Sequence, residues 1–198
     1  IEPPACWKDL LKPAFRNEVQ NSNPNSSGTA YTAIATLVQL MGEEAAFDYM
    51  KALHRHTTEY TRSGAGAVKN AARGETGVGI GFLALAAGEI KQGFPLKTVV
   101  PCEGTGYEVG AMSLVKGARN LANAKRFHEW SLTAAAQQLA AQSGSFVVPA
   151  VKATPLHPLM PRPAEMKLVN YDIRKYGHKE ERQRLIARWD REVAQAPR

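Results

Sequence analysis

A run of small hydroxyl residues around a glycine has the clearest chemical potential in this sequence. Its members are Ser26, Ser27, Gly28 and Thr29, and they lead directly into a segment with helical apolar periodicity. Hydroxyl residues of this kind cap helices, so we expect a helix to begin at about Ser27 to Thr29. The first amides of a helix have no intrahelical acceptor and the helix dipole is positive there, which allows an anion to bind. An ordinary N-cap, with the glycine serving the turn, is the alternative interpretation.

A second turn of small residues repeats this pattern. Ser63, Gly64 and Ala65 follow a strand-like segment at 57–61 and open a helix that continues to Ala72. Where two such turns each follow a parallel strand, both helix starts lie at the same edge of the sheet. The sequence therefore predicts two sets of free amides at one sheet edge.

Strands and helices alternate along residues 16–100. Apolar periodicity predicts helices at 30–41, 43–53, 68–72 and 83–90. Short apolar or β-branched runs predict strands at 18–20, 57–61, 76–82 and 96–100. This alternation is typical of an α/β fold with a largely parallel sheet flanked by helices.

The pattern changes after Pro101. We expect strands at 107–115 and 145–148, helices at 120–130 and 133–142, and an extended, proline-rich crossing at 149–163. The segment 179–194 is predicted to be an amphipathic helix. Its apolar stripe and its i,i+4 ion pairs consist of Leu185, Ile186, Trp189 and Val193, and of Glu180/Arg184 and Arg188/Glu192.

Composition indicates a globular protein with enough apolar residues for a core. The chain has 198 residues, of which 44% are hydrophobic, and a formal charge of +7. Its C-terminal basic residues alternate with acids on one predicted helix, which indicates a solvated face and not a nucleic-acid-binding surface. No apolar run approaches the ~18 residues of a membrane span. The chain starts at Ile1 without a leader pattern, so a leader has been removed or the chain is an internal piece.

Cysteine and histidine spacing does not indicate a metal or catalytic centre. Cys6 and Cys102 form no CxxC pair, and no HExxH motif is present. The two cysteines fit either one disulfide in an oxidising compartment or two buried thiols. Neither a nucleophile with a nearby base nor a carboxylate pair is recognisable, so we expect no enzyme activity and no cofactor.

Several segments in order carry a resemblance to a known family. They are "PACWKDLL", "NPNSSGTAY", "RGETGVGIGF", "GFPLKTVVPCEGTGYEVGAMSLVKGARNLANAKRFHEW" and "RLIARWDREV". This series resembles the bacterial extracellular solute-binding proteins of ABC importers, in the cluster that binds ferric iron, aminoethylphosphonate and sugar phosphates. The resemblance implies the two-lobed type II periplasmic fold, secretion to the periplasm and delivery of cargo to a membrane permease.

The resemblance also implies how the chain divides between lobes. Residues 8–98 would form lobe two, and 99–198 the returning hinge strand and the later part of lobe one. The first half of the N-terminal lobe has no counterpart here, so self-association through the incomplete lobe is expected. Cys6 and Cys102 would flank the two crossovers, where a disulfide is feasible and two unpaired thiols are the alternative.

The ligand implied by the resemblance is a small anion. Iron binders of this cluster have a tyrosine pair after the strand that here ends at Gly81, whereas this sequence continues with Phe82 and no tyrosine. The first turn resembles the element that holds phosphonates and phosphate esters. A ferric-iron binder of the same family, or a sensory domain that signals to a partner, are the alternatives. The predicted ligand contacts are Ser26, Ser27, Gly28 and Thr29 in the first turn, Ser63, Gly64 and Ala65 in the second, and Phe82 as a pocket wall.

Overall fold

Three parallel strands and their connecting helices organise the first half of the chain. The computed structural model describes residues 1–198. Two 3₁₀ turns, Trp7–Leu11 and Pro13–Phe15, precede the sheet. The elements that follow are β1 (Val19–Ser22), α1 (Gly28–Met41), α2 (Glu43–His54), β2 (Thr57–Thr61), α3 (Gly64–Ala72), β3 (Val78–Gly79) and α4 (Leu83–Lys91). The α/β fold with a parallel sheet is confirmed.

Strand β1 lies at the centre of the sheet, in the order β2-β1-β3. Ser22 pairs with Thr61, so β1 and β2 end side by side. The predicted strand at 76–82 forms only Val78–Gly79 and pairs through Val19 and Gln20. Helix α3 packs so closely there that a Cβ at Gly79 would overlap the carbonyl group of Ala67. The close backbone approach indicated by the glycines of this segment is therefore present.

Helices and loops dominate the second half of the chain. It contains α5 (Leu121–Ser131), α6 (Ala134–Gln142), a 3₁₀ turn at Pro163–Glu165, α7 (Ile173–Tyr176) and α8 (Lys179–Trp189), which continues as a π-helical turn at Asp190–Ala194. The predicted strands at 96–100, 107–115 and 145–148 are wrong, because these residues form no ladder. None of the helices has the length and apolar character needed to span a bilayer.

The main core joins the sheet to the C-terminal helix. It contains 18 buried residues from the two 3₁₀ turns, β1, α1, α2, α7, α8 and the π-helical turn. Leu185, Trp189 and Val193 of the predicted stripe are buried in it, and Ile186 packs against it. A smaller cluster combines Ala87 with three residues of the second half. Both clusters draw on both sides of residue 98, and the division into lobes at 98/99 stays a prediction.

Ion pairs fasten α8 to α2. Arg184 binds both carboxylate oxygens of Glu43 at 2.7 Å, and Arg188 binds Glu43 and Glu44. The predicted pair Arg188–Glu192 is confirmed at 2.9 Å. The pair Glu180–Arg184 is wrong, because the Arg184 guanidinium turns to Glu43 and Glu181 while Glu180 contacts His178.

A disulfide between Cys6 and Cys102 connects the start of the chain to the crossing after α4, with 4.7 Å between the Cα atoms. Hydrogen bonds surround it. The Cys102 amide donates to the Ala5 carbonyl at 2.9 Å, and the Trp7 amide donates to Glu103 Oε2 at 2.8 Å. Of the two alternatives that the sequence leaves open, the structure has the disulfide and no free thiol.

Candidate functional site

Helix α1 begins at the first small-residue turn, as predicted. Ser27 is its N-cap: Ser27 Oγ accepts a hydrogen bond from the Ala30 amide at 3.4 Å and another lies between it and Ser22 Oγ at 3.1 Å. The amides of Gly28 and Thr29 donate to no acceptor within the chain. These two amides, at the positive end of a 14-residue helix, are available to an anion.

The second turn lies directly against the first. The Asn23 amide donates to the Thr61 carbonyl at 2.9 Å, and Ser26 Oγ donates to the Arg62 carbonyl at 2.7 Å. Gly64, the first residue of α3, packs on Thr29 so tightly that a Cβ at residue 64 would lie 2.6 Å from Thr29 Cβ. The starts of α1 and α3 are therefore neighbours at the carboxyl edge of the sheet, as expected for adjacent parallel strands.

A shallow cleft opens beside these helix starts. Its walls come from three places in the sequence: one face of α1, the chain that follows β3, and the crossing after the disulfide. The lining residues are Thr29, Thr32, Ala33, Thr36, Ile80, Gly81, Phe82, Thr105 and Gly106. Four threonines and no charged residue line the cleft, so it offers neutral hydrogen-bond donors and acceptors.

The segment after the disulfide, which contains Thr105 and Gly106, is held against α1 by a close glycine contact and by backbone hydrogen bonds. A Cβ at Gly106 would overlap Thr36 Oγ1, so only glycine permits this approach. The Thr105 amide donates to the Lys167 carbonyl at 2.9 Å, and the Val169 amide donates to the Thr105 carbonyl at 2.9 Å. These contacts fix the wall of the cleft that Thr105 and Gly106 form against α1.

A carboxylate stands beside the start of α1. Thr32 Oγ1 donates a hydrogen bond to Glu108 Oε1, which lies 3.8 Å from the position that a Cβ at Gly28 would occupy. The positive end of the helix stabilises a negative charge here. Glu108 therefore offers an acceptor for a hydroxyl or ammonium group and repels a second anionic group nearby.

Buried phenols lie near this carboxylate. Burial, followed by the charges of Tyr31 and Glu108, raises the pKa of Tyr171. The Tyr107 ring lies 5.9 Å from the Tyr171 ring.

A sulfur and carboxylate cluster lies away from the cleft, at the disulfide. The ligand atoms of Cys6, Cys102 and Glu103 lie within 4.8 Å of one another. Because the two sulfur atoms are bonded to each other, neither is a thiolate, which is the form that binds metals. The closeness of these three side chains is therefore a consequence of the disulfide.

Only some of the predicted contact residues lie at the cleft. Thr29 and Phe82 line the cleft, and Gly28 and Gly64 form the helix starts beside it. The hydroxyls of Ser26 and Ser27 are engaged by the protein itself, and the Ser63 hydroxyl is exposed without a partner. Ala65 is half-buried and is not part of the lining.

Several lining residues were not among the sequence predictions. They are Thr32, Ala33, Thr36, Ile80, Gly81, Thr105 and Gly106, with Glu108 beside them. Thr29, Thr32 and Thr36 recur at three and four residues on α1, and this spacing was a readable signal for a hydroxyl-bearing helix face. No comparable signal marked the residues of the crossing, which reach the cleft only through the fold.

Residues 1–175 match the family described as "Bacterial extracellular solute-binding protein". The chain therefore belongs to this family. Its fold is similar to that of the periplasmic binding protein AfuA from Actinobacillus pleuropneumoniae, solved with exogenous fructose-6-phosphate bound, with 49% identity and a TM-score of 0.93. That match covers 99% of this chain and 62% of AfuA.

Two further relatives agree with this assignment. The periplasmic binding protein P5PA has 37% identity and a TM-score of 0.84, with 98% of this chain and 62% of P5PA covered. A Haemophilus influenzae protein is 49% identical over 193 residues, which is 97% of this chain and 56% of that protein. The chain thus spans about three fifths of the length of the relatives it matches.

Proposed function

We propose that this chain is part of the periplasmic solute-binding component of an ABC importer, and that its cleft binds a small phosphate ester or phosphonate. The observation that carries the proposal is the pairing of two helix starts beside a cleft lined by hydroxyl groups. Gly28 and Thr29 supply free amides and Thr29 supplies a free hydroxyl beside the cleft, while the Thr32 hydroxyl donates to Glu108. Helix starts with free amides are established sites for phosphate.

The proposed binding mode uses neutral donors. No lysine or arginine lines the cleft, so the negative charge is balanced by the α1 and α3 dipoles and by hydrogen bonds. Glu108 adds a constraint, because its carboxylate favours ligands that carry a hydroxyl or ammonium group next to the anion. A phosphorylated sugar or an aminoalkylphosphonate meets both requirements.

The relatives support the ligand class. AfuA was solved with fructose-6-phosphate bound and shares 49% identity with this chain. Ferric iron is the alternative ligand within the family. It is disfavoured because Phe82 stands where the iron binders have tyrosine.

The proposed compartment and partner follow from the same family. The Cys6–Cys102 disulfide fits an oxidising compartment such as the periplasm. There the binding protein would present its ligand to an inner-membrane permease. A sensory or regulatory role for the same cleft is the second candidate, and binding to a permease in detergent would distinguish the two.

Calorimetric titration of the oxidised chain tests the ligand. The panel comprises fructose-6-phosphate, aminoethylphosphonate, inorganic phosphate, sulfate and ferric citrate. We expect binding of a phosphorus compound and none of ferric citrate. The Thr29→Val substitution removes a hydroxyl that makes no hydrogen bond within the chain, and it should weaken binding about tenfold or more.

Thr58→Val on β2 is the control, because Thr58 is exposed, lies outside the cleft lining and has a hydroxyl that donates only to the Val19 carbonyl, at 3.3 Å. It should bind the phosphorus compound as the unmodified chain does. Equal affinity of the Thr29→Val chain would place the anion elsewhere. Heat released by ferric citrate alone would refute the proposed ligand class.

A further inference from the structure

The loop that precedes α1 is fastened to the C-terminal helix by a side-chain hydrogen bond. Asn25 Nδ2 donates to Asp190 Oδ1 at 2.7 Å, across a sequence separation of 165. Asp190 is the first residue of the π-helical turn that continues α8. Its half-buried carboxylate accepts no other hydrogen bond and forms no salt bridge. The carboxylate of Asp190 therefore serves the loop alone.

The loop itself is a compact turn built around Asn23. The amides of Ser26 and Ser27 both donate to the Asn23 carbonyl, at 3.1 and 2.9 Å. The Asn25 amide donates to Asn23 Oδ1 at 2.9 Å, and Asn25 Nδ2 donates to the same oxygen at 3.2 Å. The Asn25 side chain thus joins this turn to the C-terminal helix.

The end of the loop determines where the first free amide of α1 points. The Gly28 N–H belongs to the peptide group that follows Ser27, so its direction is set by the ψ angle of Ser27, which is 120°. The Gly28 amide has no acceptor within the chain that would hold this direction. Binding groups must be held close to their productive geometry, so movement of the loop would weaken the anion site.

Helix α8 gives the loop a firm support. Arg188, two residues before Asp190, binds Glu43 of α2 at 2.8 Å. The buried Trp189 ring contacts the Tyr60 ring of β2 edge-on, with 5.0 Å between the ring centroids. The helix is therefore fixed to both α2 and β2 immediately before Asp190. It then widens into a π-helical turn, a feature that is frequent at functional sites.

The base and the tip of the loop are held in different ways. Pro24 at the base is fully buried and lines a small internal cavity together with Trp189 of α8. Asn25 and Ser26 at the tip are exposed. The tip is therefore held by hydrogen bonds, and the one from Asn25 to Asp190 connects it to α8.

Given the anion-binding function proposed for the cleft, on which this inference rests, we propose that Asp190 is a positioning residue for the anion site. Through Asn25 it holds the loop 23–27, and with it the Gly28 amide, in the geometry that binds the anion. No residue of α8 or of its π-helical turn lines the cleft. The required property of Asp190 is a hydrogen-bond acceptor, because its negative charge can only repel an anion.

Two substitutions separate the acceptor from the charge. The probe is whichever of fructose-6-phosphate, aminoethylphosphonate and inorganic phosphate the unmodified chain binds most tightly in calorimetric titrations. Asp190→Asn keeps an oxygen acceptor and removes the charge, so it should bind the probe at least as tightly as the unmodified chain. Asp190→Leu has a similar shape without an acceptor and should bind about three- to tenfold more weakly. Without ligand, the Ser26 and Ser27 amides should exchange hydrogen about threefold or more faster in the Leu variant alone.

Two further variants test the route of the effect. Asp48→Leu is the matched control, because it removes an exposed carboxylate on α2 that pairs with Lys51 and lies outside the cleft lining. Its affinity for the probe should be unchanged. Asn25→Ala removes the intermediary, so adding Asp190→Leu to that variant should weaken binding no further.

The outcomes distinguish this inference from the proposed function. If the unmodified chain binds none of the three phosphorus compounds, the proposed function fails and the positioning role fails with it. If the unmodified chain binds its probe, equal affinity of the Asp190→Leu chain overturns the positioning role alone, whatever happens to its urea midpoint. Equal weakening by Asp190→Asn and Asp190→Leu, or a full additional loss in the double variant with Asn25→Ala, also overturns it.

Discussion

Reduction of the Cys6–Cys102 disulfide should cost this chain a large share of its stability. The bond closes a loop with a sequence separation of 96. In the chain-entropy model, opening a loop of that size releases about 16 cal/mol/K in the unfolded state, or about 4.7 kcal/mol at 25 °C. Because domains are stable by only about 5–15 kcal/mol, the reduced chain should be marginal.

Native contacts near the bond should survive reduction, which is why the loss is assigned to the unfolded state. The Trp7 indole donates to the Gly104 carbonyl at 3.0 Å, and the Trp7 and Lys8 amides donate to the Glu103 carboxylate. These interactions do not involve sulfur. The folded reduced chain should therefore keep the crossing in place while unfolding more easily.

Urea denaturation followed by tryptophan fluorescence measures this effect. With a denaturant slope of about 2 kcal/mol/M, the midpoint should fall by about 2 M on addition of a reductant. The double variant Cys6→Ala/Cys102→Ala should fall by the same amount without reductant and should not respond to it. A loss below about 1 kcal/mol in both cases would refute the loop-entropy argument for this chain.

Two further changes test the contacts around the helix starts and between the helices. Gly64→Ala forces a methyl group into Thr29 and should destabilise the chain by about 1–3 kcal/mol. Gly110→Ala is the control: the glycine has open space around it, so the free energy of unfolding should change by less than about 0.5 kcal/mol. Equal urea midpoints of the two variants would contradict this prediction. Hydrogen bonds from Arg184 lower the pKa of Glu43 from its ordinary 4.5 to about 2. Because the folded pKa is the lower one, this stabilisation is present above pH 4.5 and is lost as pH falls towards 2. Glu43→Gln should show a shallower loss of stability over that pH range in urea titrations.

Helices were predictable because their signals are local. The hydroxyl cap at Ser27 and the apolar positions of α1 lie within one short stretch, and the structure begins the helix there. The same is true of α8, whose stripe of Leu185, Trp189 and Val193 is buried as predicted. Capping and amphipathic spacing require no knowledge of the distant chain.

The predicted strands formed only where a partner strand lies beside them in the sheet. The segments 18–20 and 57–61 lie next to each other in the sheet, and both formed. The segments 107–115 and 145–148 have comparable β-propensity and formed no ladder. A strand is stabilised by pairing, so sequence composition alone cannot determine whether a ladder forms.

The candidate site shows the same division. Thr29 and the two helix starts could be located from local motifs, and Thr32 and Thr36 from their spacing on α1. Thr105 and Gly106 could not, because they reach the cleft through a crossing tied to the distant Cys6 and Lys167. Only the three-dimensional arrangement brings them within contact of α1.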